Sequence, residues 1–91
     1  MVKSIEVGGF YKREQDNETC YYHVWSGNHE WCQVTSVYLS PKTFFIDSHS
    51  TLHKYNSCKR MYKISKEEYS KAFGKALLGG YNLFESYKLK E

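Results

Sequence analysis

The stretch Ile64-Ser65-Lys66-Glu67-Glu68-Tyr69 constrains this chain more than any other, because it reads as a complete helix start. Ser65 is the expected N-cap: its hydroxyl can accept the free N–H of Glu68, and the Glu68 carboxylate can reach back to the Ser65 N–H. Ile64 and Tyr69 flank the cap as a hydrophobic staple. Glu67 and Glu68 put negative charge at the positive end of the helix dipole. Tyr69, Ala72, Phe73, Ala76 and Leu77 then repeat at helical spacing, so an apolar stripe must find a covering surface. Lys66, Ser70, Lys71 and Lys75 fall mostly on the wet side. The helix is expected over 65–78, with Gly79-Gly80 as its stop and a packed tail behind. The alternative carries it to Tyr87, because Phe73, Leu77, Phe84 and Tyr87 keep the period and Ala72, Ala76 and Gly80 lie at steps of four. Each interior glycine would then cost about 1 kcal/mol.

Residues 1–64 read as strand-rich. Ile5, Val7, Gly9 and Tyr11 alternate as a half-buried strand does, with Gly8-Gly9 marking a bulge or bend. Arg13 to Thr19 is a polar hairpin loop turning at Asp16-Asn17. Cys20 to Ser26 is dense in aromatic and β-branched residues, and Ser26-Gly27-Asn28-His29 suits a tight turn. Trp31 to Ser40 follows, with Thr35, Val37 and Leu39 toward the core, and then a short strand from Thr43 to Asp47. Asp47 to Ser50 reads as loop, Thr51 to Tyr55 as a further short strand, and Arg60 to Ile64 as the last. The expected fold is therefore one α+β domain over 1–91: a small, strongly bent antiparallel sheet closed by one C-terminal helix. An SH3-like or other partly open barrel is one form such a sheet can take. Tyr69, Phe73 and Leu77 are expected to pack on Val24, Val37, Leu39 and Ile46.

The chain has 91 residues, 41% of them hydrophobic and 18% aromatic, ample for a core. Nine tyrosines stand out; they can fill a core while leaving hydroxyls at its rim, and they also make recognition surfaces. No apolar leader follows Met1 and no long apolar run occurs, so a cytoplasmic protein without a membrane span is expected. Three cysteines without an export signal suit reduced thiols. Residues 1–47 carry four Lys/Arg against six Asp/Glu, and residues 48–91 carry nine against four.

Several patterns carry possible chemistry. Cys20-Tyr-Tyr-His23 and His29-Glu-Trp-Cys32 imitate a zinc quartet, but in a strand residues i and i+3 face opposite sides, and the glycine of a zinc knuckle is missing. His49 and His53 would stand about 13 Å apart on a strand, too far for one ion. Asp47-Ser48-His49-Ser50 has the letters of a hydrolase triad without its elbow. A Cys/His-dependent enzyme or a zinc module thus ranks low, no catalytic or metal residue is assigned, and no cofactor is expected. The leading expectation is a non-enzymatic binding domain that presents an aromatic face or a sheet edge to a protein partner or to a second copy of itself. The alternative is single-stranded nucleic acid, held by Lys54, Lys59, Arg60 and Lys63 on phosphates with Tyr62 stacking on a base, and with Tyr21, Trp25 or Trp31 as further candidates for the same face. In general outline the strands and capped helix resemble small bacterial proteins, with no motif that fixes a family.

Overall fold

A computed structural model describes residues 1–41 and 43–89, with side chains described through Gly79. Five strands precede one helix: β1 (Phe10–Gln15), β2 (Glu18–Gly27), β3 (Trp31–Leu39), β4 (Phe44–His53), β5 (Met61–Lys63) and α1 (Lys66–Leu89). All pairings are antiparallel, in the order β4-β3-β2-β1-β5. The fold is α+β, and the sheet stays open, with β4 and β5 as its edges. β1 to β4 form a meander. The chain then crosses from one edge to the other to place β5 beside β1.

The turns follow from their residues. Asp16, at φ 55°, and Asn17 make the two-residue link between Gln15 and Glu18, a conformation that Asp and Asn tolerate. Asn28 accepts the N–H groups of Glu30 and Trp31 on its Oδ1, both at 2.8 Å, and so closes the β2–β3 hairpin. The sheet bends at two irregularities, at Trp25 in β2 and at Ser48-His49 in β4, since each bulge adds a residue to one strand only. The expected loop at Asp47–Ser50 is thus strand. Asp47 takes the His49 N–H at 3.1 Å and the Ser50 hydroxyl at 2.7 Å, so the polar residues that suggested a loop instead stabilise the bulge.

Apolar side chains are buried on both faces. On one, Tyr11, Tyr22, Val24, Cys32, Val34 and Met61 pack with Cys58 and Ile5. The segment expected as the first strand is the cover of this face. Gly8 turns the chain at φ +89°, a conformation available to glycine, and pairing starts only at Phe10. The segment is tied by Val2 N–H to Met61 O (3.1 Å), Ile5 N–H to Lys54 O (3.3 Å) and Gly8 N–H to Val24 O (2.7 Å). Val7 lies 58% exposed, which breaks the expected alternation.

The other face carries α1. Tyr69, Ala72 and Ala76 are buried with Val37, and Phe10, Tyr21, Leu39, Ile46, Ile64 and Phe73 pack around them. The Ser65 hydroxyl accepts the Glu68 N–H at 3.0 Å, as the cap requires. The Glu68 carboxylate, however, takes the Lys12 ammonium at 3.0 Å, tying α1 to β1. Two packing expectations need correction. Leu77 is 55% exposed, and Val24 is buried on the opposite face. Tyr69, Ala72 and Ala76 are the buried positions of α1, so the buried stripe is narrower than the expected one and excludes Leu77. The helix also runs through Gly79 to Leu89 instead of stopping. Gly79 lies so near the Phe44 ring that an added Cβ would stand 3.3 Å from it, so tertiary packing outweighs the weak helix propensity of glycine. The expected contributions of Phe84 and Tyr87 lie outside the described side chains.

Candidate docking surface

Alternation along β3 puts Trp31, Gln33, Thr35, Val37 and Leu39 on the helix side of the sheet. α1 covers Val37 and Leu39. Beyond Thr35 the same face is open, and register places His53 opposite Trp31 and Thr51 opposite Gln33. The indole of Trp31 meets the His53 ring edge-on at 5.0 Å, and Trp25 at the β2 bulge meets His49 at 5.5 Å. Both tryptophans remain exposed, at 43% and 44%. Gln33 Nε2 donates to Thr51 Oγ1 at 3.5 Å.

The His53 ring is fixed from behind. Its Nδ1 accepts the N–H groups of Tyr55 at 3.3 Å and Asn56 at 3.1 Å, so the neutral ring carries its proton on Nε2. Tyr55, 53% exposed, lies beyond it at 6.5 Å.

A cleft of about 380 Å³ lies at the seam between α1 and the sheet, lined by His23, Thr35, Tyr69, Ser70 and Phe73. The His23 imidazole stacks flat on Phe10 at 4.5 Å and 8°. The Tyr69 hydroxyl donates to Thr35 O at 3.2 Å, and burial pushes its pKa up from the usual phenol value. The cleft combines two aromatic walls with a few hydroxyls, a composition suited to an apolar side chain.

The other residues singled out from the sequence are distributed as follows. Lys54 directly follows β4, half-buried, with its backbone bonded to Glu30 and Ile5. Lys59 and Arg60 are exposed in the connection to β5. Tyr62 pairs with Lys12 and Lys63 with Tyr11, so these neighbours point to opposite sides of the sheet. Tyr21 belongs to the helix-side core. Cys20 and Cys32 pack with the core under the N-terminal segment, His23 faces the helix, and His29 is exposed in the β2–β3 hairpin. Among the described residues no group of three or more His, Cys, Asp and Glu gathers around one point where a metal ion could sit. In Asp47-Ser48-His49-Ser50 the carboxylate holds the backbone of His49, while its imidazole lies against Trp25. Among the described residues no helix is long and apolar enough to cross a membrane.

The two tryptophan–histidine pairs are cross-strand contacts. Both indoles were visible as aromatics in the sequence, but their partners lie on β4, beyond the reach of local spacing. Comparison with known proteins yields no matching family model, curated relative or solved structure.

Proposed function

We propose that this chain is a non-enzymatic binding domain that docks a protein partner on the Trp25–Trp31 face. The observation that carries the reading is the exposure of both indoles, each set against a histidine ring of β4. Tryptophan is enriched at the energetic centres of interfaces. The anchoring of His53 by two backbone amides keeps part of this surface rigid before binding, which lowers the entropy lost on docking. The adjoining cleft offers a seat for one apolar side chain of the partner. The nucleic-acid reading has less support, because the neighbours Tyr62 and Lys63 face opposite sides of the sheet. A reducing, cytoplasmic setting accords with three free thiols, two of them buried.

The chain has two tryptophans, and both lie on this face, so indole fluorescence, excited apart from the tyrosines, reports on it. Retention of source-cell proteins on the immobilised chain is compared with retention on a Trp25→Ser/Trp31→Ser variant. The reading requires a partner that the variant loses and that shifts indole emission when purified and added back. Equal retention by the two proteins would end it. Salt-sensitive binding of a labelled single-stranded oligonucleotide, weakened by Lys59→Ala, would put the nucleic-acid reading in its place.

A further inference from the structure

The two edges of the sheet are built differently. β5 is three residues long and includes Lys63, the short, charged form that keeps an exposed edge from pairing. β4 is ten residues long, and its sequence FFIDSHSTLH holds no lysine, arginine or proline. Among the described residues its protection is the bulge, where Asp47 occupies the His49 N–H and the Ser50 hydroxyl. That closes the middle of the strand and leaves Phe44–Asp47 as regular edge, paired inward with Ser36–Leu39. Apolar side chains flank this segment on both faces. On one, Phe45 is 50% exposed and stacks on Tyr38 at 4.9 Å and 17°. On the other, Phe44 and Ile46 are half-buried, and α1 brings Gly79 against Phe44 next to exposed Leu77 and Leu78.

We propose that a second copy of this chain pairs antiparallel with Phe44–Asp47 about a two-fold axis at Phe45, joining two sheets into one. A row of unpaired backbone N–H and C=O groups selects another strand, and an isologous contact requires the segment to complement itself. With the axis at Phe45, the two Phe45 rings meet and extend the Tyr38–Phe45 stack into a row of four. Phe44 then lies opposite Ile46 of the second copy on the helix side. Thr43 takes Asp47, so no two carboxylates oppose. Moving the axis to Ile46 would instead set Asp47 against Phe45. The paired segment is short, well below the scale of a standard interface of roughly 1,600 Å², so the association is reversible and depends on concentration. It uses a surface separate from the tryptophan face, and the two readings stand or fall separately.

Sedimentation velocity on the full chain, from low micromolar to millimolar concentration, is the test. The expected result is a mass that doubles with concentration, together with slowed amide exchange at residues 44–47. Phe45→Lys, a change at an exposed side chain, should abolish the doubling while thermal unfolding stays cooperative. Trp25→Ser/Trp31→Ser should leave the doubling intact. A monomer at every concentration, a dimer that survives Phe45→Lys, or a dimer without added protection at residues 44–47 would each overturn the proposal. So would a monomeric chain that captures an unrelated extended peptide on β4.

Discussion

Gly79 of α1 meets Phe44 at the start of β4, where a methyl group would stand 3.3 Å from the ring. Gly74, one turn and a half earlier on the same helix, has no atom within 4 Å of the corresponding position. The pair separates helix propensity from packing. Gly74→Ala should stabilise the protein by about 1 kcal/mol, because alanine loses less backbone freedom in a helix. Gly79→Ala gains the same propensity and loses part of it in displacing Phe44, so its increment should be clearly smaller. Urea unfolding of both variants measures the difference, and equal gains would show that the helix end does not press on β4.

Tyr69, Phe73 and Leu77 differ in burial along one helix, so truncating them should give graded effects. Tyr69→Phe removes the hydrogen bond to Thr35 O and should cost about 1 kcal/mol. Phe73→Ala, at a half-buried position, should cost about 2 kcal/mol, below the ~3–5 kcal/mol of a fully buried phenylalanine. Leu77→Ser should fall within about 0.5 kcal/mol of the unmodified chain. Thermal melts of the three variants give the order directly. A large loss for Leu77→Ser would mean that α1 sits rotated on the sheet.

Ile5 is fully buried although no strand contains it. Ile5→Ala should therefore cost about 2–5 kcal/mol, as for any large aliphatic core residue. Faster amide exchange at Gly8 and Val24, which the N-terminal segment joins, should accompany the loss.

Stability should fall at alkaline pH. Burial, with the nearby Cys20 thiolate charge adding to it, pushes the Tyr22 phenol up from its ordinary value near 10, and burial pushes the Cys32 thiol up from near 9. The Lys12 ammonium is also held up, chiefly by its hydrogen bond to Glu68 and then by Glu14. In each case the folded state binds its proton more tightly than the unfolded state. The stabilisation is complete below the unfolded pKa and declines as pH rises past it toward the folded value. Melting temperatures should hold through neutral pH and drop above about pH 9. Tyr22→Phe should remove part of that drop, and an unchanged slope would assign it to other groups.

The helix start, the aromatic hairpin strands and the turn at Asp16-Asn17 could all be read locally, because each depends on residues within one turn or one strand of each other. Other features depend on distant partners. Ile5-Val7-Gly9-Tyr11 has a strand's alternation, yet Gly8 and the buried face under Ile5 turn it into a cover. Asp47–Ser50 has a loop's composition, yet pairing with β3 draws it into the sheet. Gly79 marks a helix end in isolation and a close contact in the presence of Phe44. The tryptophan–histidine pairs join β2 and β3 to β4, so their geometry depends on register and bulges that no local pattern encodes.

The crossing of the chain from β4 to β5 also sets an order of assembly. The β1–β4 meander closes through short turns, whereas Met61–Lys63 must find Tyr11–Arg13 from the far end of the sequence. Loop-closure entropy makes that contact unfavourable until a preformed β1 is there to receive it. Truncations at Met61 should therefore accelerate unfolding while leaving the folding rate nearly unchanged. A folding rate that slows in proportion would place β5 in the nucleus instead. On this route Cys58 and the N-terminal segment are sealed last, so the thiols beneath them remain open to reagents until the final stage of folding.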